Sequence, residues 1–280
     1  MARKSAATRG RAKQLRGGAP SSSLFVGSVA KAFRVLAAFD QGQRSLPLVQ
    51  IAALSELDLS ATQRFVHTLT ALGYLRKDER TRHYRLTPRV LHLGTSYLRA
   101  DELAWLATPY LRAANEKAGE TISLLVLDGS DVVHIIRYSA PGSMSMRILI
   151  GTRTPAFCEA GGRAILAHME PDRARDIVAA SDLVAYTRFT LSSVEDLLAT
   201  LPAVREAGYA VVQQEREIDV VTLAAPVFET DGNVVAAVSF AVPLDRWRLA
   251  ANRKRLAQIA LETARAIGTT APAAGSRRKA

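Results

Sequence analysis

Cysteine is nearly missing. Of 280 residues only Cys158 carries a thiol, which excludes an intramolecular disulfide and leaves no Cys-x-x-Cys spacing for a zinc cage. Histidine is sparse too, standing at 67, 83, 92, 134 and 168 with no His-x-x-x-His pair. No apolar run approaches the roughly 18 residues that span a bilayer, and the basic N-terminus lacks the apolar core of a secretory signal. A phosphate-cradling Gly-rich loop and a G-x-S-x-G elbow are also lacking. These absences lead us to expect a soluble, cytoplasmic protein with no membrane partner, no metal, no cofactor and no enzymatic activity.

What is present is unevenly placed. Residues 1–100 carry 17 Lys and Arg against 5 Asp and Glu, a net charge of +12, whereas residues 101–268 carry 17 against 21, a net of −4. A basic front joined to a mildly acidic remainder points to two domains, only the first of which meets a polyanion. Residues 1–24, with six basic and no acidic side chains among Ala, Gly and Ser, read as a disordered basic arm that either grazes DNA or does nothing. Residues 269–280 read as a similar tail.

From Ser28, a candidate N-cap, apolar residues recur as Val29, Ala32, Phe33, Leu36 and Phe39, one face of a helix. Pro47, at a first-turn position, opens a short helix over 48–54. After a break at 55–59, Ser60 caps a third helix that runs to Leu72 and stops at Gly73. Stepping 100° per residue places Gln63, Arg64, His67 and Thr70 opposite the apolar side of that helix. A guanidinium, an amide and an imidazole there suit base edges in a major groove, and Ser60 and Thr62 join them as DNA-facing candidates; the alternative is an ordinary solvated face. The runs 74–78 and 83–86 read as a hairpin whose Arg76, Arg80, Arg82 and His83 crowd a wing beside the phosphate backbone. Together these make a winged helix-turn-helix over 25–87. A linker helix over 88–104 continues past Leu103 and Trp105, and its Val90, Leu91, Leu98 and Trp105 pack either on a second copy or within one subunit.

The remainder, 105–268, mixes helices with hairpin-linked strands, giving an α+β domain. A helix over about 107–118 ends at Gly119. Strands follow at 121–127, 132–138 and 144–150, then a helix from Gly161, a capping box at Ser192 and Glu195, strands at 209–212, 222–228 and 234–242, and a final helix over about 245–267.

The stretch Ser28–Leu86, centred on ATQRFVHTLTALGYL at 61–75, resembles the winged-helix domain of IclR-type regulators. GTRTPAFCEAGGRAILA at 151–167 and AAPVFETDGNVVAAVS at 224–239 resemble that family's second domain, so that the likeness covers roughly 25–268. The resemblance implies a GAF-like effector pocket for a small carboxylic acid, with Met146, Ala160, Gly161, Thr222 and Ser239 lining it. It also implies a homodimer or tetramer on a double-stranded operator. The stretch QQEREI at 213–218 is similar to the branch that governs degradation of aromatic acids or their ketoadipate products. The chain departs from the family in carrying Gln213 for Asp, Asp219 for Gly, Thr222 for Cys or Ser, and Ala241 for Ser. It also lacks the expected glycine near Asp58.

An acid ligand needs compensating charge, for which Arg137 is the candidate among Arg137, Arg147, Arg153 and Arg163. Gly161 and Gly162 at a helix start either offer N–H groups to a carboxylate or allow close packing. The rival to a ligand-responsive regulator is an enzyme with Cys158 as nucleophile and an accessory DNA-binding domain, because Cys158 precedes a helix start where a thiolate is stabilised.

Overall fold

The computed structural model describes residues 22–41, 44–141 and 148–270. Met146, Arg147, most of the strand expected at 144–150, and nearly all of both tails lie outside them. The chain divides into two compact units that meet in sequence at Tyr97 and Leu98.

The first unit is a winged helix-turn-helix. Helices α1 (Gly27–Ala37), α2 (Leu48–Ser55) and α3 (Leu59–Ala71) precede strands β1 (Leu75–Lys77) and β2 (Tyr84–Leu86). Val35, Phe39, Leu46, Ile51, Val66, Leu69 and Leu75 form one buried cluster. Leu46 and Tyr84 exchange two backbone hydrogen bonds of 2.9 and 2.8 Å, adding a one-residue third strand to the wing. The expected caps move. Val26 stands at the N-cap of α1 with no side-chain bond, so Ser28 lies inside the helix, and Pro47 is the N-cap of α2. The Asp58 carboxylate accepts from the Ala61 N–H at 2.7 Å and caps α3 in place of Ser60. The left-handed residue of the turn, where a glycine was expected, is Glu56 at φ 54°.

A continuous linker helix is not formed. A 3-10 turn at Pro88–Val90 leads into α4 (Leu91–Ala100), and Asp101 then breaks the path and caps α5 (Glu102–Ala118), which ends at Gly119 with φ 68°.

The second unit is built on a six-stranded, wholly antiparallel sheet: β3 (Thr121–Asp128), β4 (Asp131–Tyr138), β5 (Arg153–Pro155), β6 (Ala210–Gln213), β7 (Val220–Phe228) and β8 (Val234–Pro243). Its order is β5-β4-β3-β8-β7-β6. Strands this apolar are buried on both faces. Val221, Leu223, Ala225 and Val227 of β7, with Val238, Phe240 and Val242 of β8, pack under α5 and the C-terminal helix α10 (Ala250–Thr270). Alternate residues, among them Ala224 and Ala237, pack under α6 (Ala160–Ala167), α7 (Pro171–Ala180) and α8 (Val194–Ala207). This is the α+β, GAF-like layering expected. Three details differ. The N-cap of α8 is Ser193, not Ser192; the last helix is split at Leu249 from a short α9 (Leu244–Arg248); and β5 and α7 lie where no element was expected.

Candidate functional site

On the first unit, α3 turns Gln63, Arg64 and His67 outward, all exposed, while Val66 and Leu69 hold the opposite side in the core. Ser60 is exposed in the first turn. Thr62 is not: it is fully buried, and its hydroxyl donates to the Asp58 carbonyl at 2.8 Å. Thr62 shares the face of Val66 and Leu69, four and seven residues on, so it closes the turn and cannot reach a groove.

In the hairpin, Arg76, Arg80 and Arg82 are exposed, Arg82 at φ 59° with a 3.8 Å contact to Glu79. His83 is half-buried, its Nδ1 3.4 Å from the Ser45 hydroxyl. The register sets Arg76 directly opposite Arg85, both exposed. Like charges in a cross-strand pair repel, so the fold gains nothing from this pairing. Arg85 escaped the sequence reading because only the hairpin register brings it beside Arg76.

On the second unit, the sheet face under α6 carries a ladder of polar residues. Arg137 lies opposite Ser123, Ser123 opposite Ser239, and Thr222 opposite Ala241. The Arg137 guanidinium donates to Ser123 Oγ at 3.2 Å, and the Ala160 N–H donates to Thr222 Oγ1 at 3.2 Å. Four expected positions, Arg137, Ala160, Thr222 and Ser239, thus gather on one face, with Gly161 directly above. Gly161 packs so closely that a Cβ there would lie 2.3 Å from Leu125 Cδ1, and one on Gly162 would lie 2.2 Å from the Ala156 carbonyl oxygen.

At the centre stands Glu159, a residue missed from sequence because only cations were sought for an acid ligand. Its carboxylate is buried and accepts from Ser239 Oγ at 2.8 Å. Burial pushes its carboxyl above the ordinary range, against the pull of the Ser239 hydroxyl, Arg216, the Gly161 N–H and Arg137. Arg216, also missed, donates to Thr154 Oγ1, which lies 3.4 Å from His134 Nε2. His134 is buried, and its Nδ1 has no hydrogen-bond partner. Burial first, then Arg137 and Arg216, pull its pKa down to about 3, so the imidazole is neutral.

Beside this group, Arg163 and Glu215 form a buried pair at 2.6 Å, and Arg163 also donates to the Phe157 carbonyl at 2.9 Å. Arg153 is committed elsewhere, bridging Asp128 and Asp131 at the β3–β4 turn. Cys158 is buried, and desolvation pushes its thiol up to about 12. A neutral buried thiol is a poor nucleophile, which weighs against Cys158 in the role the enzyme alternative gives it. Two shallow clefts of about 400 Å3 each lie along the outward side of α5, one lined by Thr108, Pro109 and Arg112, the other by Trp105, Leu106 and Tyr110. Neither borders Glu159, and neither gathers polar groups as the sheet face does. Among the described residues no His, Cys, Asp and Glu group is placed to hold a metal ion, and no helix is long and apolar enough to cross a membrane.

Comparison with known proteins agrees with this division. Residues 28–79 match the model of the IclR helix-turn-helix domain, and residues 95–269 match that of the bacterial transcriptional regulator IclR C-terminal domain. The Pca regulon regulatory protein of Pseudomonas putida is 34% identical over 242 residues, 86% of this chain and 82% of its own. A solved transcriptional regulator from Rhodococcus sp. RHA1 superposes with a TM-score of 0.74 at 33% identity, covering 88% of this chain and 98% of the other. A solved IclR homologue of Microbacterium hydrocarbonoxydans, complexed with 4-hydroxybenzoate, gives a TM-score of 0.72 at 25% identity, covering 86% and 98%.

Proposed function

Because the chain belongs to the IclR family of bacterial transcriptional regulators, we propose that it reads a duplex operator through Gln63, Arg64 and His67 of α3 and releases or tightens its hold when the second unit binds a small organic acid. The observation that carries the DNA half is the exposed α3 row beside the Arg76–Arg85 pair. Arg64 suits a guanine edge, while Arg76, Arg80, Arg82 and Arg85 suit phosphates, which carry no sequence information. Ser60 is placed for a phosphate at the start of α3, and His83 supports the wing.

The acid half rests on Arg137 and Arg216 facing a buried polar ladder, and on two relatives: the P. putida regulator of the Pca regulon and the homologue complexed with 4-hydroxybenzoate. An aromatic acid or a ketoadipate-type catabolite is the effector class these favour. Exposed Leu91, Leu93, Tyr97 and Trp105 favour a second copy over a solvated surface, and a homodimer or tetramer suits paired half-sites. Such a regulator works where its operator is, in the cytoplasm.

The test is selection of operator DNA from a random pool, followed by binding measurements with and without 4-hydroxybenzoate, protocatechuate and ketoadipate. Arg64→Ala is expected to weaken specific binding by about 1–3 kcal/mol and to leave random DNA nearly unaffected, whereas Arg85→Ala lowers the salt slope by about one on both. Equal loss on specific and random DNA for Arg64→Ala would remove it from the base-reading role.

A further inference from the structure

We propose that Thr87, Arg89 and Tyr74 form the joint through which the state of the second unit reaches α3: they fix the direction in which the chain leaves the reading head, so that α4 and α3 move as one piece. The inference rests on the reading of the chain as a ligand-responsive regulator and names the positioning residues that carry the response to the DNA.

The case begins with what α4 lacks. Residues 91–97 are exposed throughout, and no side chain of α4 is buried. Within its own subunit such a helix has no packed face to set its direction, so the direction is set where the helix starts. That start is tied to the far end of α3 by a pair of peptide groups. Gly73, at φ 77°, and Tyr74 close α3 by donating their N–H groups to the Thr70 and Leu69 carbonyls, each at 2.9 Å. Their own carbonyls accept from Thr87: its hydroxyl donates to Gly73 at 2.5 Å and its N–H donates to Tyr74 at 3.0 Å. The second of these bonds extends the β1–β2 ladder one step past the Leu75 and Leu86 pair. The Thr87 hydroxyl also accepts from the Arg89 N–H at 3.2 Å and so caps the 3-10 turn that leads into α4.

Arg89 closes the joint from outside. Its guanidinium lies over the Tyr74 ring, 5.6 Å from the centroid, and its Nη1 lies 3.1 Å from the point that a Cβ on Gly73 would occupy. Tyr74 in turn packs on the cluster that holds Val66 and Leu69 of α3. A continuous run of bonds thus joins the turn before α4 to the last turn of α3. An effector that displaces α4 turns α3 with it, and a changed angle of α3 is a changed fit to the major groove.

The test uses the full chain, whose one native cysteine is buried and so spares spin labels placed at Ala71→Cys in α3 and Ser96→Cys in α4. Labelled protein mixed with an excess of unlabelled chain reports the separation within one subunit. Wild type and Thr87→Ser, which keeps the hydroxyl, are expected to give one narrow separation, and Thr87→Val and Arg89→Ala to broaden it. Operator selected from a random pool then reads the consequence. In Thr87→Val and Arg89→Ala, the factor by which 4-hydroxybenzoate, protocatechuate or ketoadipate changes operator affinity is expected to fall toward one from the roughly 5 to 150-fold of coupled sites. Thr87→Ser is expected to restore it, with affinity for the acid alone the same in every protein; a merely structural Thr87 would move melting without this split. A separation as narrow in folded Thr87→Val as in wild type overturns the joint, and so does a broadened separation with an unchanged factor. An Arg89→Ala protein that keeps the narrow separation and lowers the salt slope of DNA binding by about one makes the guanidinium a phosphate contact and removes Arg89 from the joint. Three acids that move operator binding in no protein, wild type included, overturn instead the effector reading, and the joint then stands or falls on the separations.

Discussion

His134 shows how much a single buried side chain fixes in this sheet. Its imidazole is held neutral, with a pKa near 3 against an ordinary 6.5, chiefly by burial and then by Arg137 and Arg216. Between those values the unfolded chain binds a proton that the folded chain refuses, so acid favours unfolding. The group's contribution is intact above about pH 6.5 and is lost as pH falls toward 3, at about 1.4 kcal/mol per pH unit. His134→Gln is therefore expected to flatten the pH dependence of stability between pH 6 and 4 by about one proton, measured by urea unfolding of the second unit's signal. An identical slope in the variant would place the proton elsewhere. Residues of this kind explain why the site was only partly legible. Ala160, Thr222 and Ser239 are marked by a family pattern, and Arg137 by the charge an acid ligand needs. Glu159 and Arg216 are marked by neither, because a search for cations around an acid passes over a carboxylate, and nothing local brings residue 216 to residue 154. Thr62 stands among the DNA-facing candidates, although its spacing to Val66 and Leu69 already puts it in the core.

At the scale of elements, α6 is the piece whose sequence and packing most constrain each other. It starts Ala160-Gly161-Gly162, and helix propensity alone would favour alanine at both glycines by up to about 1 kcal/mol. Packing reverses the sign unequally. A Cβ on Gly161 meets the end of the Leu125 side chain, which can rotate, but a Cβ on Gly162 meets the Ala156 backbone at 2.2 to 2.6 Å, which cannot. Gly162→Ala is expected to destabilise the second unit by about 1–3 kcal/mol, and Gly161→Ala by clearly less. Equal melting of the two variants would show that the 3-10 turn at 156–158 yields. Elements with a strong period or a turn signal were readable, as the three helices of the first unit and the β3–β4 and β7–β8 hairpins attest. Breaks inside an unbroken apolar period were not. Leu91, Leu98 and Trp105, seven residues apart, keep one face going in the sequence, while the Asp101 carboxylate, accepting from the Ala104 N–H at 2.9 Å, restarts the helix. Strand β5 has three residues and owes its existence to pairing with β4, so no local pattern marks it.

For the whole molecule, regulation requires that two separate units share one free energy. If an effector changes operator affinity by some factor, operator DNA must change effector affinity by the same factor, because both close one thermodynamic cycle. The charge division sharpens the measurement. The front of the chain carries +12 and residues 101–268 carry −4, so added salt weakens operator binding steeply, whereas an effector site buried in the second unit responds weakly. At a single fixed salt concentration, the effector's dissociation constant is therefore expected to move on saturating the protein with operator by the same ratio, typically 5 to 150-fold, by which effector moves operator binding. Random duplex of equal length makes the control, since it engages the basic surface without fitting α3. Unequal ratios would mean that the acid bound in titration is not the species that acts on the DNA-bound form. Equal ratios with specific and random DNA alike would mean that the effector tunes the wing's electrostatic contact rather than the reading of bases.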